Sequence, residues 1–408
     1  MFIFEIGRVK LAVIMKKPFD KAQGKGVFVG LSGGVDSAVS ALLLKLAGYD
    51  VTGVFIKVWQ PDFLPCTWRE ERRDAMRVAL TLNIPFLFFD FEEEYKKGVV
   101  EKMIEEYKKG RTPNPDVLCN REIKFGAFWK KAKELGADYI ATGHYARVTP
   151  QHLSSEKSSD IPAEHGQTFL QKDVALLPTT YYLLQTGLDS EKDQSYFLWT
   201  LTQEDLVHTL FPIGHLKKSE VRKLARKFNL PVAEKKDSQG ICFVGEVSLE
   251  EFLSRFVETR LGKVLNTKGE VIGQHKGALF YTLGERRGFD IEKKKPNDGA
   301  FYVVTKDMKK NTITVSNKKE EIEKLSPKKT VLKNINWIRE LDGPNLEARI
   351  RYREKKMPII LSLGSPTSKS KLVVEFKTPQ RGLSLGQSIV FYDGEECLGG
   401  AVMDDIIN

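Results

Sequence analysis

Short β-rich runs alternate with helical patterns over the first third of the chain, and this alternation restricts the fold more than any other feature. The first run is GVFVGL (26–31), and the helical pattern that follows it ends at Gly48. Further β-rich runs lie at 51–59, 85–91 and 137–146. Helical patterns separate them at 67–82, 92–109 and 121–135. Strands that alternate with helices form parallel sheets with right-handed crossovers, so we predict an α/β domain.

The rest of the chain changes texture twice. Residues of about 149–180 begin with a polar, turn-rich stretch and predict an exposed loop insertion. From Thr202, a helix-capping residue, to about Phe256 the pattern is mostly helical, and beyond Gly262 short β-rich runs alternate with turns. We therefore predict an extension (1–24), an α/β domain (25–206), a central adaptor domain (207–322) and a C-terminal β-barrel (323–408).

Composition excludes several classes of protein. The 64 Lys and Arg residues exceed the 54 Asp and Glu residues by ten, which is compatible with nucleic-acid binding. Four cysteines without a CxxC pair indicate neither a disulfide scaffold nor a zinc ribbon, and the scattered histidines predict no metal site. No apolar run is long enough to span a membrane, and the N-terminus lacks the order of a signal peptide. We expect a cytoplasmic protein that does not bind membranes.

The segment SGGVDS (32–37) lies between a predicted strand and a predicted helix, where chains often bind phosphate. Gly33 and Gly34 allow a tight turn, and amides at the helix start can bind an anion. Ser32 and Ser37 add hydroxyl donors, whereas Asp36 requires Mg²⁺ or a water network beside a phosphate. The segment fits neither the Walker A motif nor the GxGxxG fingerprint. A glycine turn capped by Ser and Asp remains the simpler alternative.

Six segments in order resemble the tRNA-specific 2-thiouridylases, from about Val27 to Val402. They are GLSGGVDS, GRTPNPDVLCNREIKF (110–125), ATGHYA (141–146), LDSEKDQSYFL (188–198), KKDSQGICFVGE (235–246) and LGQSIVFYDGEECLGGA. The first resembles the PP-loop of the N-type ATP pyrophosphatases in general, and the second and fifth distinguish the family. The resemblance implies a PP-loop ATP pyrophosphatase fold for the first domain and a tRNA-binding barrel at the C-terminus.

The resemblance also implies a reaction. ATP with Mg²⁺ adenylates the C2 oxygen of the wobble uridine in the anticodon loop of tRNAs for Lys, Glu and Gln. A persulfide sulfur then replaces that oxygen, and AMP and pyrophosphate are released. The sulfur comes from a cysteine desulfurase, directly or through relay proteins. A ring carbonyl oxygen is a poor leaving group, so this order of steps is chemically required.

By the same resemblance, Cys242 carries the persulfide, Cys119 is the partner nucleophile and Asp116 is the acid–base residue beside the uracil. We expect Cys119 to precede a helix start, where a thiolate is stabilised. The alternative for Asp116 is an Asx-turn. Cys66 and Cys397 lack such a context and are expected to be buried apolar residues.

The resemblance assigns further residues to two ligands. For ATP they are Gly30, Leu31, Ser32, Gly33, Gly34, Val35, Asp36 and Ser37, with Ile56 near the adenine and Gly143 in close backbone approach. For tRNA they are Asn114, Pro115, Asp116, His144, Lys192, Asp193, Gln194, Arg351, Tyr352 and Gln387.

Two of the tRNA assignments have a local alternative or condition. His144 could instead be a satisfied core histidine. Arg351 and Arg353 would share one face of a strand, so a contact from Tyr352 would require a strand end or a bulge.

Two other functions are compatible with parts of this pattern. A different PP-loop enzyme, such as a tRNA lysidine synthetase, would share the loop but would not need Cys119 and Cys242. A catalytically silent tRNA-binding homologue would be expected to have lost Asp36 or one of the cysteines.

Overall fold

The computed structural model describes residues 2–6, 9–13, 24–63, 67–152, 180–236, 249–292, 298–339, 346–363 and 371–407. Cys66, Cys242 and most of the predicted insertion lie outside these ranges. Within them, no helix is long and apolar enough to cross a bilayer. The extension was expected to be irregular, yet it contains two antiparallel strands, β1 (Phe2–Ile6) and β2 (Val9–Val13), so that expectation is wrong for these residues.

The next part of the chain forms a five-stranded parallel sheet, which confirms the predicted α/β fold. Its strands and the hairpin inserted among them are β3 (Gly26–Gly30), β4 (Asp50–Lys57), β5 (Phe86–Asp90), β6 (Tyr139–Ala141), β7 (Ala146–His152), β8 (Thr180–Thr186) and β9 (Thr209–Leu210). The sheet order is β5-β4-β3-β6-β9, with every neighbouring pair parallel. Val27 and Val29 lie in one core and Phe28 lies in the other, so helices cover both faces of the sheet.

Helices connect these strands. They are Val35–Leu46, Trp68–Thr81, Glu92–Tyr95, Lys96–Glu101, Lys102–Lys108, Pro115–Cys119, Asn120–Ala127, Phe128–Glu134, Ser195–Phe197, Gln203–Val207 and Lys218–Lys227. The pieces Lys96–Glu101 and Asn120–Ala127 are π-helical stretches inside two longer helices, 92–108 and 115–134. The second of these, called here the Pro115 helix, starts six residues before the predicted 121, because proline favours the first helical position.

The predicted boundary after residue 206 cuts through this domain. Strand β9 completes the parallel sheet, and the helix Lys218–Lys227 buries Val221 and Ala225 in the same core as Val39 of the first helix. Thr202 caps the intervening helix reciprocally with Asp205, as its sequence predicted.

The predicted insertion is bounded by strands rather than by loop. Strands β7 and β8 pair as an antiparallel hairpin, so residues 149–152 are not part of an exposed loop. Strand β8 then pairs with the last strand of the chain, Leu184 opposite Cys397. The hairpin therefore joins the N-terminal domain to the C-terminal sheet.

The central domain is a small mixed β-sheet. It contains the helix Leu249–Ser254, β10 (Gly262–Leu265), β11 (Val271–His275), the 3₁₀ turn Ala278–Phe280, β12 (Phe289–Ile291), β13 (Tyr302–Asp307), β14 (Thr312–Ser316) and the helix Lys319–Leu325. The sheet order is β12-β11-β10-β14-β13. The run GALFYTLG, predicted as β-rich, forms the 3₁₀ turn instead, and Ala278 and Tyr281 fill the core of this domain.

The C-terminal domain is a closed six-stranded barrel, as predicted. Its strands are β15 (Lys329–Trp337), β16 (Glu347–Arg349), β17 (Met357–Leu363), β18 (Leu372–Phe376), β19 (Ser388–Asp393) and β20 (Glu396–Ile407). Pairing of β15 with β20 closes the ring. Strand β16 ends at Arg349, so Arg351 and Arg353 lie in a turn and do not share a strand face. Arg353 has φ +62°, a left-handed conformation incompatible with a continuing strand.

Candidate active site

The segment 32–37 forms a tight loop between the carboxyl end of β3 and the helix Val35–Leu46. Gly33 has φ +72°, and a Cβ there would lie 2.5 Å from the carbonyl oxygen of Glu71. No residue with a side chain fits this position without displacing backbone. Gly34 caps the helix in an extended conformation and leaves the first amides of the helix pointing out of its end.

Hydroxyl groups brace the loop internally. Ser37 Oγ donates to the carbonyl of Gly34 at 3.1 Å and accepts from the amide of Ser32 at 3.2 Å. Over the described ranges, no acceptor is found for the amides of Val35, Asp36 and Ser37. These three donors and the helix dipole make the loop a fitting cradle for a phosphate group.

The remaining predicted nucleotide residues surround this cradle. Leu31 and Val35 are buried in the core, so only their backbone can face a ligand. Gly30 ends β3, and Ile56 lies half-buried near the end of the adjacent β4. Parallel strands end at the same edge of the sheet, so Ile56 is on the same edge as the loop.

The carboxylate of Asp36 has protein partners. Lys218 Nζ lies 2.8 Å from both of its oxygens, and the hydroxyl of Tyr145 donates to Oδ1 at 2.8 Å. Sequence analysis expected a metal or water network here and missed both residues. Lys218 is 182 positions from Asp36, so only the fold reveals the pair.

Part of the segment 192–194, assigned above to tRNA, supports this network instead of facing solvent. Gln194 makes two hydrogen bonds to the backbone of Tyr145. Its side-chain Oε1 accepts from the Tyr145 amide at 3.0 Å, and its own backbone amide donates to the Tyr145 carbonyl at 2.9 Å. Asp193 is 2% exposed and forms an ion pair of 2.5 Å with Arg349 of the barrel. The assignment of Asp193 to tRNA is therefore corrected, because its carboxylate is buried between two domains. Lys192 is half-buried at the start of this turn.

Gly143 packs against the loop itself. A Cβ at Gly143 would lie 2.8 Å from the amide nitrogen of Ser37 and 2.9 Å from the carbonyl carbon of Asp36. Gly143 thus approaches the first turn of the helix closely, and its approach to the nucleotide stays a prediction.

His144 is a core residue in this conformation. It is 6% exposed, its Nδ1 lies 2.6 Å from Thr142 Oγ1, and its ring contacts those of Phe125 and Phe211. Burial, with a smaller effect of Lys124, lowers the pKa of His144 well below its usual value. The direct tRNA contact assigned to His144 is corrected for this conformation, because the neutral ring is enclosed by the core.

The Pro115 helix begins at a contact with the barrel. Asn114 Oδ1 accepts from the backbone amide of Ser388 at 2.7 Å, and Pro115 is the first helical residue. Asp116 follows half-buried, and burial raises the pKa of its carboxyl, although nearby Lys124 opposes the effect. Such a carboxyl binds a proton more readily than an exposed one.

Cys119 lies inside this helix and does not precede it, so the expected stabilisation by a following helix start is wrong. Its side chain is 4% exposed, and it lies three residues after Asp116, on the same helix face. Asn120 is fully buried and donates from Nδ2 to the carbonyl of Phe197 at 2.9 Å. Cys242 falls outside the described residues.

The barrel residues assigned to RNA lie around one turn. Arg351 Nη2 donates to the carbonyl of Leu283 at 2.6 Å, which links the barrel to the central domain. Tyr352 packs its ring 4.6 Å from that of Phe197 of the N-terminal domain. Gln387 is half-buried immediately before Ser388. The described part of the chain contains no cluster of His, Cys, Asp or Glu suited to a metal ion.

The fold thus brings Asn114, Tyr352 and Gln387 to the junction between the N-terminal domain and the barrel. It places His144 and Asp193 in buried positions instead. Sequence analysis missed Lys218, Tyr145 and Arg349, which pair with residues it had identified. Residues of opposite charge far apart in a sequence carry no local signal of their pairing.

Cys397 is fully buried, as expected from its sequence context, and burial raises its pKa to about 12. This residue therefore behaves as a small core side chain and not as a nucleophile.

Three family models match the chain in succession. They are described as the tRNA methyl transferase HUP domain over residues 25–246, the tRNA methyl transferase PRC-barrel domain over 250–317 and the aminomethyltransferase beta-barrel domain over 328–403. The matched ranges agree with the three structural units seen here.

Close relatives carry the name tRNA-specific 2-thiouridylase MnmA. One from Streptococcus thermophilus is 41% identical over 384 residues, covering 93% of this chain and 95% of the relative. One from Enterococcus faecalis is 40% identical over 383 residues, with coverage of 93% and 95%. A solved 4-thiouridine synthetase–RNA complex with bound ATP shares 18% identity over 57% of this chain and 50% of its own, with a TM-score of 0.33.

Proposed function

The chain belongs to the family of tRNA-specific 2-thiouridylases, enzymes that transfer sulfur to tRNA, and on that premise we propose how its residues perform the reaction. The substrate base is the wobble uridine of tRNAs for Lys, Glu and Gln. Its C2 oxygen attacks the α-phosphorus of ATP and expels pyrophosphate. A sulfur atom then attacks C2, and AMP departs with the original oxygen.

The loop of residues 30–37 binds the phosphates of ATP. Its support is the set of outward amides of Val35, Asp36 and Ser37, which have no acceptor over the described ranges. Lys218 adds a positive charge 2.8 Å from the Asp36 carboxylate. The adenine lies towards Ile56, whose apolar side chain is on the same sheet edge.

Mg²⁺, when bound together with ATP, would neutralise phosphate charge in this site. Both oxygens of Asp36 contact Lys218, and one also accepts a hydrogen bond from Tyr145. This carboxylate is therefore not suited to coordinate the ion directly. Substrate phosphate oxygens and water would supply the ligands of the ion instead.

The observation that carries the assignment of sulfur chemistry is the spacing of Asp116 and Cys119 on the Pro115 helix. An i, i+3 pair projects from one helix face, so a uracil bound at Asp116 lies beside Cys119, whose side chain, 4% exposed in this conformation, has to become accessible for the reaction. The raised pKa of Asp116 suits proton exchange with the base during attack at C2.

Sulfur arrives as a persulfide on Cys242, supplied by a cysteine desulfurase directly or through relay proteins. The terminal sulfur attacks C2 of the adenylated uridine. The thiolate of Cys119 attacks the inner sulfur of Cys242, which forms a disulfide and releases the transferred sulfur to the base. An external reductant regenerates both thiols before the next turnover.

The tRNA contacts are Asn114, Pro115 and Asp116 at the target base, with Lys192, Gln194, Arg351, Tyr352 and Gln387 around the junction of the N-terminal domain and the barrel. Gln194 contributes through Tyr145, to whose backbone it makes two hydrogen bonds. Asp193 contributes by supporting this junction through its ion pair with Arg349, whereas His144 supports the core of the N-terminal domain, where its ring is buried.

Mass analysis of nucleosides tests the proposal. Transfer RNA is incubated with the enzyme, ATP–Mg²⁺ and a persulfide source, then digested, with a reaction lacking ATP as the control. Appearance of 2-thiouridine only in the complete reaction is the expected result. Lysidine, in a parallel reaction supplied with free lysine, would favour a different PP-loop enzyme, and tRNA binding without any ATP turnover would favour a silent homologue.

A further inference from the structure

The chain that leads into the Pro115 helix is fastened to both other domains. We name residues 110–114 the strap. A Cβ at Gly110 would lie 2.5 Å from Met308 of the central domain, and Thr112 Oγ1 lies 3.1 Å from Thr282 Oγ1. On the other side, the amide of Thr112 donates to the carbonyl of Leu385 in the barrel at 2.7 Å.

Arg111 makes an ion pair and a hydrogen bond with the barrel. Its Nη2 donates to Asp404 Oδ1 at 2.9 Å and to the carbonyl of Met403 at 3.1 Å, and its side chain is 15% exposed. Its Nε also lies 2.9 Å from Glu106 Oε2, at the end of the preceding helix. Arg111 therefore joins the helix before the strap to strand β20.

The backbone on the barrel side is shaped to receive the strap. A Cβ at Gly386 would lie 3.0 Å from Cβ of Arg111 and 3.1 Å from the amide of Thr112. Gly386 has φ +89°, which a residue with a side chain adopts only under strain. Its neighbours along the chain include Ser388, which binds Asn114 at the other end of the strap.

Asp404 is held by further cations. Lys333 and Lys371 lie 3.1 and 3.4 Å from its oxygens. Although burial alone would raise the pKa of Asp404, hydrogen bonds from Arg111 and Lys333 lower it to about 2. The carboxylate therefore stays charged across the physiological range.

From these contacts we propose that Arg111, through its bond to Asp404, is a positioning residue that aligns the Pro115 helix with the barrel for sulfur transfer. The proposal rests on the function proposed above and adds a residue that touches neither ATP nor RNA. Arg111 is five residues from Asp116, and the intervening strap is fastened at Thr112 and Asn114. Little slack remains between the barrel and the side chains that meet the base.

The physical consequence is that tRNA binding by the barrel is coupled to sulfur transfer at the Pro115 helix. The tRNA is held by the barrel, whereas the reacting groups lie on the helix, so their relative placement determines the approach of sulfur to C2. Misplacement of reacting groups by about 1 Å can lower a rate by about 100-fold without loss of binding.

The test compares Arg111→Gln, the conservative Arg111→Lys and, from the barrel side, Asp404→Asn. Lys371→Gln is the matched control, because Lys371 contacts the same carboxylate from an exposed position and does not touch the strap. For each full-length variant, tRNA affinity, ATP-dependent pyrophosphate release and single-turnover formation of 2-thiouridine are measured.

We expect Arg111→Gln and Asp404→Asn to lower 2-thiouridine formation by about 10- to 100-fold while tRNA affinity changes by less than about twofold. Arg111→Lys should recover part of the rate. The Arg111→Gln/Asp404→Asn double variant should be as slow as the slower single variant and no slower, because both changes break the same contact. Lys371→Gln should match the wild type.

Three results would overturn the proposal. They are a wild-type rate in Arg111→Gln, an equal loss of tRNA affinity and rate, or additive losses in the double variant. If Arg111→Gln does not fold, Asp404→Asn gives the same comparison from the other partner. Failure of the wild type to make 2-thiouridine would refute the proposed function and is thus distinguishable from these outcomes.

Discussion

Lys218 Nζ lies 2.8 Å from both carboxylate oxygens of Asp36, across 182 positions of sequence. The pair links the first turn of the loop helix to the start of the helix Lys218–Lys227. Because the side chain of Lys218 is 15% exposed, the pair is more strongly coupled than a solvated surface ion pair. The Asp36 carboxylate therefore holds the positively charged Lys218 side chain beside the loop of residues 32–37.

The Lys218–Asp36 pair should be required for ATP turnover. Lys218→Met should lower pyrophosphate release by roughly 100-fold, because charge-stabilising groups at phosphate sites contribute on that scale. Asp36→Ala should abolish it while tRNA binding survives. Lys217→Met, an exposed neighbour, is the control. Full pyrophosphate release by Asp36→Ala would refute this assignment.

The half-buried carboxylate of Asp116 should lower the stability of the folded protein at pH 7 while being required for activity. Its carboxyl has a pKa raised by burial, so the folded state binds its proton more tightly than the unfolded state does. The resulting stability is fully present below the unfolded pKa and is lost as pH rises through the folded pKa. Asp116→Asn should therefore increase the melting temperature by roughly 2 °C at pH 7 and have little effect near pH 3.

The same variant should make no 2-thiouridine, because an amide cannot exchange the proton. Thermal scans at the two pH values and a product assay check both parts. A variant that is less stable than the wild type at pH 7 would contradict the direction predicted here.

Sulfur transfer should require two cysteines, whereas adenylation should require neither. Cys242→Ser should lose the protein persulfide and all product. Cys119→Ser should accept sulfur on Cys242 yet fail to complete turnover, since a serine cannot close the disulfide. Peptide mapping after one turnover without reductant should find Cys119 joined to Cys242.

Cys397→Ala is the control for this series, because Cys397 is fully buried and its thiol stays protonated. It should make product normally in its folded form. A persulfide that maps to Cys66 or Cys397, or wild-type turnover by Cys119→Ser, would contradict the mechanism.

Binding of tRNA should weaken linearly with salt on logarithmic axes, because phosphate contacts release counterions. Arg351→Ala should lower the affinity and reduce that slope by about one. If Arg351 serves only to hold Leu283, affinity will fall with the slope unchanged. Salt titrations of the wild type, of Arg351→Ala and of the control Lys309→Ala separate the two results. Lys309 lies in a turn of the central domain, and its replacement also removes one positive charge.

His144 should affect folding more than RNA binding. Burial lowers the pKa of His144 well below its usual value, so its contribution to stability is present above the unfolded pKa and is lost as pH falls. His144→Ala should lower the melting temperature at pH 7.5 while the folded fraction retains wild-type affinity for tRNA. A loss of tRNA affinity without a loss of stability would instead support a direct contact between His144 and tRNA.

Local pattern predicted most elements because their causes are local. The alternation of β-rich runs with helical patterns predicted the parallel sheet. Thr202 predicted its helix cap, and the short β-rich runs predicted the barrel. Errors occurred where a neighbour in space decided the outcome. The residues from about 149 were predicted as an exposed loop, yet residues 149–152 belong to a hairpin that extends the barrel sheet.

The sequence by itself determined the α/β domain, the phosphate loop and the family, since spacing along the chain carries each of them. Only the tertiary structure decided that Asp36 faces Lys218, that Asp193 is buried against Arg349 and that the strap is clamped by Asp404. Each of these pairs joins residues more than 150 positions apart. Hydrophobic periodicity specifies which face of an element is buried, but ion pairing depends on where two elements meet, and that geometry exists only once the cores have packed.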